Sequence, residues 1–307
     1  MDLLQLKGVS KRFGTRTVLD NVSFTVAEGE ILGIVGMNGS GKTTLLKLLV
    51  GYYQPNKGTI AYRGHALENR KKEMLREIGF TAQESSFYPK LTVEENILYF
   101  GSLYGLHEKQ LAEHAERMLA FLDLMQQRHQ LSEQLSGGMQ RRLEMACSLV
   151  HDPKVLILDE TTEDLDPLLR RDILGLIKKV NDLGTTVILT SHLLGDVEAL
   201  CDRIVVLHQG KVLRVGNVEQ LRKLYHGKEE IHVQTASGVY DTLVHDLQLL
   251  EFYVDKHTLV IYTNDADTMT RNLLAVLENE GDRLLSLDVR KPSLQDVFEE
   301  LTNTRWL

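Results

Sequence analysis

Two periodicities alternate along the chain. The runs Ile31 to Val35, Val155 to Leu158, Val187 to Leu189 and Ile204 to Leu207 are short, rich in β-branched residues and apolar throughout. Strands that are buried on both faces have this pattern, whereas half-exposed strands alternate apolar with polar positions. Longer segments with helical spacing lie near each run. The stretch from residue 1 to about 224 therefore predicts an α/β domain with a mainly parallel sheet.

Between about residues 92 and 150 the strand signals stop. Thr92-Val93-Glu94-Glu95 has the form of a capping box and opens a helix through Ile97, Leu98 and Phe100. A second helix is expected over about 108–124. A helical insert inside the α/β core accounts for both. Beyond Tyr225 the pattern changes to strand 229–235, helix 241–249, strands 252–256 and 258–263, helix 267–280, strand 283–290 and a last helix from Ser293. The order βαββαβ plus a helix is that of a small ferredoxin-like α+β domain over 225–307.

Composition narrows the function classes. With 43% hydrophobic and 25% charged residues the chain has the balance of an ordinary globular protein. Its net charge of −8 argues against a protein that coats nucleic acid. No apolar run approaches the roughly 20 residues that span a bilayer, and the first residues lack the layout of a secretion signal. A cytoplasmic location without direct membrane insertion is expected. Cys147 and Cys201 lie far apart in segments that read as packed helices, as expected of buried thiols.

Gly36-Met37-Asn38-Gly39-Ser40-Gly41-Lys42-Thr43 fits G-x-x-x-x-G-K-[ST] between a buried strand and a helix that begins at Thr44. Glycines there let backbone N–H groups converge on a phosphate, and the helix N-terminus adds favourable partial charge. Gly36, Asn38, Gly39, Ser40, Gly41, Lys42, Thr43 and Thr44 form the candidate nucleotide cradle. Lys42 is expected to reach the terminal phosphates of ATP and Thr43 to ligate Mg²⁺. The strand Val155 to Leu158 ends in Asp159-Glu160, at the edge where ligands of open α/β sheets bind. Asp159 is placed to hold Mg²⁺ and Glu160 to polarise the attacking water. In Leu135-Ser136-Gly137-Gly138-Met139-Gln140, Ser136 stands as a helix N-cap and the glycines bare backbone N–H groups. Read alone, an ordinary capped helix and an anion-binding turn both fit it.

With the phosphate loop before it and the acidic strand after it, Leu135 to Gln140 resembles the signature motif of ABC ATPases. The resemblance covers residues 1 to about 222. It implies a P-loop NTPase core with a helical subdomain, and two nucleotide-binding subunits paired head to tail, here as a homodimer. Ser136, Gly137 and Gly138 of one copy would then close over ATP held by the other. Phe13 resembles the aromatic that stacks on adenine. Gln83 resembles the glutamine that senses Mg²⁺ and water, and His192 the switch histidine that contacts γ-phosphate. Asp166 resembles the aspartate of the dimer-interface loop. Thr161 and Asp164 depart from the Pro and Gly usual in the family, which bears on hydrolysis rate more than on binding.

Lys291 to Thr302, with Leu91 to Asn96 and Leu103 to Leu106, resembles ATPases of the bacterial daunorubicin-resistance branch of exporters. Their permease is a separate polypeptide. The expectation is an ATPase peripheral on the inner membrane face, driving integral permease subunits. Two other readings remain: an ABC ATPase outside transport, and an ATP-gated regulator with weak hydrolysis. The apolar stripe Leu294, Val297, Phe298 and Leu301 serves either the packing of its own domain or a dimer contact.

Overall fold

A computed structural model of the chain describes residues 2–83, 86–163, 165–223, 229–290 and 293–302. They belong to two compact units, Met1–Val218 and Glu219–Leu307. The first unit begins with strands β1 (Asp2–Phe13), β2 (Arg16–Ala27) and β3 (Ile31–Val35). It continues through helix α1 (Lys42–Leu49), β4 (Lys57–Tyr62), β5 (His65–Ala66), α2 (Leu67–Glu77) and β6 (Ile78–Thr81). The insert supplies α3 (Val93–Leu103), α4 (Glu108–Phe121) and α5 (Gly137–Leu149). The chain then returns to the layered core with β7 (Val155–Asp159), α6 (Pro167–Asp182), β8 (Thr186–Ser191), α7 (Leu194–Leu200), β9 (Arg203–His208) and β10 (Lys211–Gly216).

Six strands form one sheet in the order β10-β9-β3-β8-β7-β6, parallel except for the edge strand β10. Every residue of β3, β7 and β8 is buried, which explains the apolar runs Ile31 to Val35, Val155 to Leu158 and Val187 to Leu189 within them. A second, antiparallel sheet of order β2-β1-β4-β5 was not expected from the sequence. Its core-facing Leu4, Leu6, Phe24 and Val26 join Leu45 and Leu48 of α1 and Ile34, Ile157 and Val205 of the large sheet in one apolar cluster. The two sheets thus enclose α1 and fix the loop that precedes it.

In the insert, Thr92 Oγ1 accepts from Glu95 N at 3.2 Å and Glu95 Oε2 accepts from Thr92 N at 2.8 Å, completing the capping box. The second helix ends at Phe121, short of the expected 124, because Asp123 takes a left-handed φ of 56°. Cys147 lies in α5, but Cys201 is the cap residue after α7 rather than inside a helix; both thiols are buried. Gly33 lets α7 approach β3, since a Cβ there would lie 2.6 Å from Val197 and 2.8 Å from Cys201 Sγ.

Helix α8 (Val218–Arg222) spans the division between the units. The second unit contains β11 (Glu229–Thr235), α9 (Asp241–Asp246), β12 (Phe252–Asp255), β13 (Thr258–Thr263), α10 (Ala266–Glu280), β14 (Leu284–Arg290) and α11 (Leu294–Thr302). Its sheet has the order β12-β13-β11-β14 with antiparallel neighbours, the arrangement of a split βαβ pair. Ile231, Val233, Leu259, Ile261, Leu273 and Leu277 form its own core. Leu294, Val297 and Phe298 of α11 are buried, and Leu301 is partly so. The boundary expected at 224/225 falls on residues 224–228, outside the described residues.

Candidate active site

The phosphate loop runs from the end of β3 to the start of α1, and its glycines are required by space as well as by backbone angle. A Cβ on Gly36 would lie 2.3 Å from the Leu207 carbonyl oxygen and 2.5 Å from Ser40 Oγ. Gly41 has a φ of 110°, and a Cβ there would lie 2.8 Å from Leu19 Cδ2. Ser40 Oγ is buried and makes no hydrogen bond among the described residues. A buried hydroxyl of this kind implies a partner. Together with the glycine cradle at a helix N-terminus, it fits a phosphate group.

A cleft of about 450 Å³ opens over this loop. Asn38, Gly39, Gly41, Lys42, Thr43 and Thr44 line its floor, and Phe13, Gln83 and Glu160 line its walls. Gly36 and Ser40 brace the loop from behind. Phe13 is 42% exposed and meets Tyr53 edge-on at 5.0 Å, with Lys11 Nζ 5.1 Å from its ring centre. An exposed face against a polar cleft suits a purine.

Lys42 is 5% exposed; its ammonium donates to the Gly36 carbonyl at 2.7 Å and pairs with Glu160 Oε1 at 3.0 Å. Asp159 closes β7, is 1% exposed and accepts from Thr190 Oγ1 at 2.6 Å. Glu160 has a left-handed φ of 50° and donates its N–H to Thr190 Oγ1 at 3.0 Å. For a non-glycine residue that geometry costs on the order of 1–3 kcal/mol.

Gln83 donates its amide to Glu160 Oε2 and to Glu163 Oε2, each at 3.2 Å. His192 Nδ1 lies 3.6 Å from Glu163 Oε1. Burial alone would raise the Glu160 carboxyl, but a hydrogen bond with Glu163 and the Lys42 ammonium together hold it below the usual carboxylate range. Glu163 moves the other way, raised by its hydrogen bond with Glu160 and then by burial. Oxygen donors for Mg²⁺ are present in Thr43, Asp159 and the Gln83 side chain, a hard set suited to that ion.

The remaining expected residues stand apart from the cleft. Ser136 Oγ accepts from Met139 N at 3.4 Å at the start of α5. A Cβ on Gly138 would lie 2.8 Å from Leu169 of α6, whereas one on Gly137 would meet nothing within 4 Å. Asp166 caps α6, its Oδ1 accepting from Leu168 N and Leu169 N at 3.0 Å each. Thr161 is buried, and Asp164 lies outside the described residues. Arg16, Val18 and Glu163 were not anticipated. Arg16 and Val18 line the cleft because the β1–β2 hairpin sets Arg16 opposite Phe13. An acid three residues after Glu160 was the only available signal for Glu163.

A glycine cradle, a buried lysine and a strand-end carboxylate pair define a nucleotide-hydrolysing site of the P-loop class. The chain belongs to the ABC transporter family, as an ATP-binding subunit and ATPase. Residues 19–163 match the family described as "ABC transporter", and residues 216–302 match "ATP-binding protein DrrA1-3-like, C-terminal domain". The linearmycin resistance ATP-binding protein LnrL of Bacillus subtilis is 33% identical over 98% of both chains. A Nod factor export ATP-binding protein I of Sinorhizobium fredii is 36% identical over 97% of this chain and 85% of its own. Among solved structures, cbiO1 of Clostridium perfringens, part of the ABC transporter complex cbiONQ, is 25% identical. It superposes with a TM-score of 0.66 over 73% of this chain and 94% of its own. ATP-binding subunits of this family work with membrane permeases; no helix among the described residues is long and apolar enough to cross a membrane.

Proposed function

We propose that this chain is the power subunit of an exporter, closing as a homodimer on MgATP and driving a separate integral permease from the cytoplasmic face of the membrane. The observation that carries the reading is the meeting, at the carboxyl ends of β3, β7 and β8, of the phosphate cradle with Lys42, Asp159 and Glu160. Lys42 leaves its pairing with Glu160 for the β- and γ-phosphate oxygens when ATP enters. Glu160, freed of that cation, accepts the proton of the water that attacks the γ-phosphorus, and ADP and phosphate leave. Thr43, Asp159 and Gln83 would hold Mg²⁺, which when bound would supply charge neutralisation at the phosphates. His192 contacts the γ-phosphate and Phe13 stacks on the adenine.

Ser136, Gly137 and Gly138 lie outside the lining of their own chain's cleft, as a role toward a second copy requires. Asp166, the cap residue of α6, is assigned to the same dimer interface. On α3 and just before it, Tyr88 and Tyr99 are exposed and meet edge-on at 4.9 Å, and Leu103 is 64% exposed. An apolar aromatic patch of this kind suits a protein contact, and we assign it to the permease. Relatives named for linearmycin resistance and Nod factor export favour the outward direction.

Glu160→Gln is the test. Hydrolysis by the purified chain should fall by about 10²–10⁴, and MgATP should convert the variant from monomer to dimer mass in light scattering. A variant that hydrolyses at the wild-type rate, or stays monomeric at saturating MgATP, would overturn the reading.

A further inference from the structure

Glu163 is the carboxylate that the ATPase chemistry above leaves without a task, yet it touches three members of the site. Its Oε2 accepts from Gln83 Nε2 at 3.2 Å, its Oε1 lies 3.6 Å from His192 Nδ1, and its backbone N–H donates to the Glu160 carbonyl oxygen at 3.2 Å. Gln83 has one NH₂ group, and Glu160 and Glu163 both accept from it. Two acceptors on the amide nitrogen fix the plane of the amide and turn its carbonyl oxygen away from both carboxylates, since acceptor faces acceptor only at a cost. That carbonyl oxygen is the atom Gln83 offers to a cation or to water.

We infer that Glu163 is a positioning residue, which clamps the Gln83 amide against Glu160 so that the Gln83 carbonyl oxygen faces the reacting groups. The His192 ring lies 3.6 Å from the other oxygen of Glu163. The arrangement matters most when ATP draws Lys42 off Glu160. Glu160 then turns to the attacking water, and Glu163 alone keeps hold of Gln83. Without Glu163 the amide is free to rotate, and misplacement of a catalytic group by about 1 Å is enough to cost up to 10² in rate. This inference rests on the ATPase reading of the site, with Gln83 acting in the chemical step.

The test is a mutant cycle on MgATP hydrolysis by the full-length chain. Glu163→Ala should lower kcat about tenfold with the ATP KM within about twofold of wild type, because the clamp touches no part of the nucleotide. The isosteric Glu163→Gln keeps one acceptor for the Gln83 amide and should lose less. In a Gln83→Ala background, Glu163→Ala should cost less than about twofold more, as residues acting through one another are not additive. Thermal melts of each variant separate folding from positioning. An unchanged kcat in both single variants would overturn the inference, as would a full additional tenfold loss in the Gln83→Ala background. A fall in KM at constant kcat would also overturn it, marking Glu163 instead as a block to ATP entry. If Gln83→Ala itself leaves kcat unchanged, the reading of Gln83 fails and this inference with it; if only the Glu163 variants are silent, the ATPase reading stands.

Discussion

A single buried amide, Asn96, ties the approach to the phosphate cleft to the approach to the signature turn. Its Oδ1 accepts from Tyr88 N at 2.7 Å, and its Nδ2 donates to the carbonyl oxygens of Tyr88 and Thr92 at 3.0 Å and to Ser132 Oγ at 2.8 Å. It is fully buried, so no water replaces these partners. Asn96→Ala leaves several polar groups unsatisfied and should destabilise the chain by on the order of 3 kcal/mol in urea unfolding, with an unchanged m-value. A loss below about 1 kcal/mol would mean that solvent enters the site. Residues such as Lys42 and Glu160 were legible in the sequence because their chemistry rests on contiguous spacing beside a strand. Asn96, Arg16 and Glu163 were not. Their partners lie far along the chain or across a turn, and an acid or amide without its partner looks like any solvated side chain.

At the scale of elements, the insert is held to the core partly by a ring stack. Tyr104, the cap residue of α3, lies parallel to His151 just beyond α5, with ring centroids 3.4 Å apart. His151 donates from Nε2 to the Ile78 carbonyl at 3.2 Å. Burial pushes its imidazole down from 6.5 to about 4. The folded state therefore binds this proton less readily than the unfolded chain. The resulting stability is complete above pH of about 6.5 and is lost progressively as pH falls toward about 4. At pH 5 the loss is on the order of 2 kcal/mol. His151→Gln keeps a donor for Ile78 and removes the titration. Its stability, compared with wild type in urea at pH 7.5 and pH 5, should show a smaller acid loss; equal losses would assign the acid sensitivity to carboxylates instead.

The helices α3 and α5 were legible because their caps, Thr92 with Glu95 and Ser136, are written into adjacent residues. Strands β1 and β2 were not. Register shifts between Leu6 and Val9, and again before Lys11, slip the two-residue alternation by which a half-exposed strand is recognised. The fully buried strands β3, β7 and β8 carry no such alternation to lose, and their apolar runs read correctly.

For the whole molecule, the two units differ in what a nucleotide can do to them. Every residue assigned to ATP lies in the first unit, on β1, the loop before α1 and the first turn of α1, the segment after β6, the starts of α5 and α6, and the ends of β7 and β8. The second unit closes its own apolar core around β11, β13 and α10. A ligand that binds the native state stabilises whatever must open for it to leave, by about 2.7 kcal/mol at a hundredfold excess over Kd. In the Glu160→Gln chain, MgATP should slow amide hydrogen exchange in β3, α1 and β7 by up to about a hundredfold. Exchange in β11 and β13 should be unchanged, because their hydrogen bonds lie within a core that holds no nucleotide ligand. Protection appearing equally in β13 would mean that ATP binding reaches the C-terminal unit, and that this unit takes part in the ATP-driven cycle rather than folding beside it.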